Sequence, residues 1–120
     1  MPYFSIILPV FNREKRIAKA IQSVLEQEFS DFELIVVDDA STDQTNAEVM
    51  KFSDHRIIYI RNNQNLERCV SRNKGISEAQ GKYICFLDSD DYHLPNHLST
   101  LHQAIKNENE ATAFFFTNSI

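Results

Sequence analysis

The chain has 120 residues, 42% hydrophobic and 24% charged, with a formal net charge of −5. This length and balance fit one folded domain and exclude a disordered tail. No run of Lys or Arg supplies the basic patch that generic nucleic-acid binding requires, and with only 2 Gly and 3 Pro there are no low-complexity linkers.

Phe4 to Val10 is a short, continuously apolar run, the pattern of a strand buried on both faces, with Pro9 expected at its end. From Arg13 to Gln27 the period changes: Ile17, Ala20, Ile21, Val24 and Leu25 fall at helical spacing, and Asn12 is a fitting N-cap. Phe32 to Val37 predicts a second strand that ends in Asp38 and Asp39. Ala40 to Asp43 is loop chemistry leading into a short helix over 44–52, and Asp43 reads as a helix cap.

Ile57 to Ile60 predicts a third strand, followed by a polar, Asn-rich loop. Glu67 to Ala79 reads as a helix with Cys69, Val70, Ile76 and Ala79 toward the sheet and Gly81 at its C′ position. Tyr83 to Leu87 is a fourth strand, and Asp88, Ser89, Asp90 and Asp91 follow at once. A helix over 95–105 with Leu98, Leu101 and Ile105 on one side and a fifth strand over 111–116 complete the alternation. Such alternation predicts the α/β class, a three-layer α/β/α sandwich around a mainly parallel sheet.

In open α/β sheets ligands bind beyond the carboxyl ends of the strands. Two of those ends here carry clustered carboxylates, at Asp38 and Asp39 and at Asp88 to Asp91. Clustered carboxylates repel one another unless a cation screens them, and hard oxygen donors suit Mg²⁺ or Mn²⁺. Asp88 and Asp90 read as ligands. For Asp38 and Asp39 alternation sends one side chain to each face, and the sequence does not say which. Arg72 is suited to phosphate, though a lone helical Arg is ordinarily a solvated one. His93 and His97 lack a third partner at zinc-ligand spacing.

Cys69 and Cys85 make no disulfide scaffold, and Cys85 reads as a small core residue. No secretory leader and no transmembrane stretch is seen in these residues, so a cytoplasmic setting is expected. Glycine-rich phosphate loops and a nucleophile elbow are also absent from the sequence.

Four segments, in order and in register, resemble family-2 glycosyltransferases. They are Phe4 to Asn12, Phe32 to Asp43, Arg72 to Ile76 with Ala79 and Gly81, and Lys82 to Asp91. The resemblance implies the GT-A, nucleotide-diphospho-sugar transferase fold. It implies that residues 1–120 form the N-terminal, nucleotide-sugar-binding part. By position Pro9, Phe11 and Asp39 would frame the base and ribose, and Arg72 would face the nucleotide pocket. Asp88 would contact the ribose or sugar side of the donor, Ser89 would also line the donor site, and Asp90 would hold a divalent metal, Mn or Mg, against the diphosphate.

The expected reaction is sugar transfer from a UDP-sugar, with inversion, to a saccharide or lipid-linked acceptor, at the inner membrane surface in the whole enzyme. The general base is expected beyond Ile120, so this part alone should be inactive. Phe114, Phe115 and Phe116 raise the expectation of self-association through the last strand. One departure stands out: family members carry a Gly shortly after the third-strand Asn, whereas here Asn62 is followed by Asn63, Gln64, Asn65, Leu66 and Glu67.

Two other readings compete. A nucleotidyltransferase would want a glycine-rich, basic loop after the first strand; Arg13, Lys15 and Arg16 are there but the glycines are not. A receiver-like module would place an Asp after the third strand, where Arg61 and Asn62 stand.

Overall fold

The computed structural model describes residues 2–89 and 91–107. Its strands are β1 (Phe4–Val10), β2 (Phe32–Asp38), β3 (Ile57–Arg61) and β4 (Tyr83–Phe86). They form one sheet in the order β3-β2-β1-β4, every neighbouring pair parallel. The helices are α1 (Ile17–Leu25), α2 (Thr45–Met50), α3 (Arg68–Glu78) and α4 (His97–Asn107). Asp90 and the expected fifth strand over 111–116, with its three Phe, lie outside the described residues.

The continuous apolar runs are central strands. Every residue of β1 and β2 is buried, while β3 and β4 at the edges are only partly so. Alternation divides the core between two faces. Ile6, Leu8, Val10, Leu34 and Val36 pack with Ile17, Ala20, Ile21 and Val24 of α1, Val49 of α2, and Leu98, Leu101 and Ile105 of α4. Ile7, Ile35 and Val37 form the opposite face, under α3. Each fully buried Leu, Ile or Phe contributes about 1.5–3 kcal/mol, so this layering is the main source of stability. The three-layer sandwich with a parallel sheet is therefore as expected.

Three local expectations are corrected. The first helix starts at Ile17, and Asn12 does not cap it: Asn12 has φ 50 and its Oδ1 accepts from Thr42 N at 2.8 Å, tying the turn after β1 to the turn after β2. On α3, Cys69, Val70 and Ile76 are exposed, and Ser71 and Gly75 face inward with Ala79 half-buried behind them. The sheet leaves no room for larger groups, since a Cβ at Gly75 would stand 2.5 Å from Ile7 Cγ2 and 3.3 Å from Val37 Cγ2.

Gly81 does not serve as a left-handed cap. A Cβ there would meet Ser5 N at 2.6 Å and the Phe4 carbonyl carbon at 2.7 Å, so it is glycine for close backbone approach. Its N–H donates to Ser5 Oγ at 2.7 Å, and Ser5 in turn donates to Glu33 Oε2 at 2.5 Å.

Away from the carboxyl ends of the strands, Tyr3, Phe29 and His102 pack edge-on and tilted, with ring centroids 4.6–5.6 Å apart, and hold α4 down. The buried Gln27 stitches α1 to the start of α4, donating to Leu94 O at 2.6 Å and accepting from Leu98 N at 2.9 Å.

Candidate functional site

Pro9 opens the site. Ile7 O accepts from Leu87 N on the β4 side, and alternation puts the Pro9 nitrogen on that same side. The β1–β4 ladder ends at the pair Ile7↔Phe86, so proline removes no sheet hydrogen bond while the two strands part beyond it. Between β1 and β4 the strand order also changes direction, which is where open α/β sheets form a binding crevice.

A cleft of about 250 Å³ occupies that position, lined by Pro9, Val10, Phe11, Arg13, Asp39, Asn65, Glu67, Ser71 and Ser89. Pro9, Phe11, Asp39 and Ser89 of the expected residues thus meet in one place. Arg72 and Asp88 are paired with each other, Arg72 Nη2 lying 3.3 Å from Asp88 Oδ1 with both side chains a little over a third exposed. The Arg72 guanidinium carbon also lies 5.4 Å from the Phe86 ring centroid. Asp90, the expected metal ligand, lies outside the described residues.

The alternation at the end of β2 is now resolved. Asp38 points to the face covered by α1, α2 and α4, where its Oδ1 accepts from Ser41 N at 2.9 Å and its Oδ2 from Tyr59 OH at 2.5 Å and Arg61 Nη1 at 3.2 Å. It is fully buried and organises the β2–α2 turn. Burial first, and then Asp38, push the Tyr59 hydroxyl up to about 12, which keeps it a donor. Asp39 points the other way, into the cleft. Its Oδ1 accepts from Asn62 Nδ2 at 2.9 Å and Leu66 N at 2.7 Å, and its Oδ2 from Glu67 N at 3.0 Å. One acceptor position on Oδ2 remains for a ligand.

Asp43 is not the cap expected of it: Gln44 is the N-cap of α2 and carries no side-chain cap, while Asp43, one residue earlier, closes the preceding turn, its Oδ1 accepting from Thr45 N at 2.9 Å. The Cys85 thiol is pushed up to about 12 by burial, in keeping with a core role. His93 and His97 stack with centroids 4.0 Å apart.

Sequence reasoning missed Arg13, Asn65, Glu67 and Ser71 as cleft residues and Asn62 as the group that orients Asp39. Ser71 was within reach, since it lies one helical turn before the inward Gly75. Glu67 was not. It adopts φ 83, ψ 161, a region almost reserved for glycine, at a cost of about 1–3 kcal/mol. The missing loop glycine therefore has a structural meaning: the backbone keeps the glycine-type bend and a carboxylate side chain stands on it.

The donor chemistry at the end of β4 suits a hard divalent cation. Asp88 is a little over a third exposed with one oxygen turned to Arg72, which leaves carboxylate oxygen for an ion that completes its shell with water and phosphate. Among the described residues no three His, Cys, Asp or Glu side chains converge into a closed cage.

A parallel sheet with a partly acidic crevice over the ends of β1, β2 and β4 defines a ligand-binding open α/β domain. Residues 5–119 match the sequence profile of glycosyl transferase family 2, and the chain belongs to that family. It is 42% identical over 124 residues to the GalNAc(5)-diNAcBac-PP-undecaprenol beta-1,3-glucosyltransferase of Campylobacter jejuni, covering 100% of this chain and 39% of that one.

Two solved structures resemble it closely. TarS 1-349 of S. aureus in complex with UDP superposes with TM-score 0.85 at 33% identity, covering 89% of this chain and 33% of that one. The mannosyltransferase PcManGT of Pyrobaculum calidifontis, in complex with GDP-Man and Mn²⁺, gives 0.76 at 25% identity, covering 88% and 32%. The chain spans about two fifths of the length of several curated relatives it matches, and less of others. No helix among the described residues is long and apolar enough to cross a membrane.

Proposed function

We propose that residues 1–120 are the donor-binding part of a glycosyltransferase that moves a sugar from a nucleotide-diphospho-sugar, a UDP-sugar, to a hydroxyl acceptor with inversion. The observation that carries this reading is the convergence of Pro9, Phe11, Asp39 and Ser89 on one cleft at the switch point of the sheet. Phe11 is 41% exposed and offers a ring face to a base. The remaining acceptor position of Asp39 matches the single N–H of uracil. Arg72 and Asp88 stand ready to exchange their mutual contact for phosphate and sugar hydroxyls. Family membership and the UDP complex of TarS support the nucleotide.

Asp90, in the Asp-x-Asp motif of Asp88, Ser89 and Asp90, would hold Mn²⁺ or Mg²⁺. Such a cation, when bound, offsets the negative charge that builds on the leaving diphosphate. The residues of this chain do the rest of the donor-side work: they bind the base, orient the diphosphate and leave the sugar exposed to attack. The acceptor is proposed to be lipid-linked, in line with the undecaprenol-linked name of the Campylobacter relative, which fits work at the cytoplasmic face of a membrane.

The test is calorimetric titration of UDP into the chain with and without Mn²⁺, repeated with Asp90→Ala and Asp39→Ala. Binding that depends on Mn²⁺ and is lost in Asp90→Ala is expected. Equal binding by wild type and Asp39→Ala would sink the assignment of the cleft.

A further inference from the structure

The geometry points to Glu67 as a specificity-determining residue that binds the ribose diol of the donor nucleotide. This rests on the donor-site reading above and goes beyond it, because nothing else assigns this side chain a role. The backbone at Glu67 takes φ 83, ψ 161, where glycine would sit without strain, yet the residue is an exposed glutamate on the lining of the cleft. Strain retained at a cleft wall is an observation from which function is reasonably inferred. The same residue also donates its N–H to Asp39 Oδ2 at 3.0 Å, so its position is tied to the group that reads the base.

The ligand chemistry follows from what each carboxylate has left to offer. Asp39 already accepts three hydrogen bonds and has room for one more donor. A carboxylate beside it cannot face the diphosphate, because like charges would repel. What lies between base and diphosphate is the ribose, whose two adjacent hydroxyls are donors. Glu67 is exposed, and among the described residues no side chain pairs with its carboxylate, whose two oxygens are acceptors of the matching kind. Arg13, on the same cleft, is left for the negatively charged end.

The experiment compares UDP with 2′-deoxy-UDP, in the presence of Mn²⁺, for wild type, Glu67→Gly and Glu67→Gln. Wild type is expected to bind UDP about tenfold more tightly than its 2′-deoxy analogue, the worth of one charge-assisted hydrogen bond. In Glu67→Gly that preference should vanish, with UDP binding weakened more than that of the deoxy analogue, which keeps the 3′ hydroxyl and loses one hydrogen bond instead of two. Glu67→Gln, which keeps the backbone strain and a weaker acceptor, should fall between and carries the comparison if the glycine variant folds poorly. A wild-type chain that binds both nucleotides equally, or a Glu67→Gly that keeps the wild-type ratio, overturns the role of Glu67 and leaves the donor site standing. A wild-type chain that binds no UDP overturns the donor-site reading and this inference with it.

Discussion

Asn62 holds Asp39 in place: its Nδ2 lies 2.9 Å from Asp39 Oδ1 and 3.1 Å from Ser71 Oγ, so one amide joins β2, the loop after β3 and α3. All three residues are at most 5% exposed, and in such a setting a lost donor is not replaced by water. Asn62→Leu is expected to cost about 2–3 kcal/mol by urea denaturation. Asn62→Asp should cost more, since it sets a second carboxylate against Asp39. An Asn62→Asp variant as stable as wild type at neutral pH would show that the amide is not what positions Asp39.

Gly75→Ala tests the fit of α3 on the sheet. Alanine gains about 1 kcal/mol of helix propensity over glycine. The added Cβ would stand 2.5 Å from Ile7 Cγ2, however, and the neighbouring Val37 leaves little room to retreat. Overpacking at about 1–3 kcal/mol should win, so a net loss of stability is predicted. A rise in denaturation midpoint would mean that α3 can lift without penalty.

Glu67→Gly should do the reverse. Removing the strained side chain recovers about 1–3 kcal/mol, less about 0.5–1 kcal/mol for the freer unfolded chain. A rise of a few degrees in Tm is the expected reading, and an unchanged or lower Tm would show that the bend at Glu67 is relaxed.

Acid should weaken the fold through His93. Burial, and secondarily the neighbouring His97, hold its imidazole down to about 4, against 6.5 for the ordinary group. Between those values the unfolded chain binds a proton that the folded chain refuses. Stability therefore falls as pH drops through this window, by up to about 1.4 kcal/mol per unit from this group, and the contribution levels off below it. Denaturation midpoints followed from neutral to acid pH should show that slope, and His93→Phe, which keeps a ring against His97, should flatten it.

Tyr59→Phe separates the two aspartates of β2. It removes the 2.5 Å hydrogen bond to Asp38 and should cost about 1 kcal/mol or somewhat more, the acceptor being charged and buried. UDP affinity should not change, because Asp38 faces the core and not the cleft. A large loss of UDP binding would tie the β2–α2 turn to the site more closely than the contacts do.

The order of strands and helices was legible in the amino-acid sequence because burial on both faces of β1 and β2 demands unbroken apolar runs, and because α1 shows a clear helical period. The acidic strand ends were legible too, since polar residues directly after such runs must lie at the edge of the sheet. The inward face of α3 was not. Its packing uses Ser71 and Gly75, and small residues leave no hydrophobic signature when the sheet comes close enough to exclude larger ones.

Fold class, family resemblance and the list of carboxylates available for a site could be read along the chain, because these depend on local pattern and chain order. That Asp39 enters the cleft while Asp38 is spent on Ser41, Tyr59 and Arg61 follows from the folded arrangement alone. Only it showed that Asn62 and Ser71 stand behind Asp39, and that a glutamate occupies a glycine-type bend on the cleft wall. Neighbouring residues of a strand carry the same chemistry to opposite faces, and which of the two helix-covered faces opens into the crevice depends on how the distant segments β3, α3 and β4 pack against the sheet.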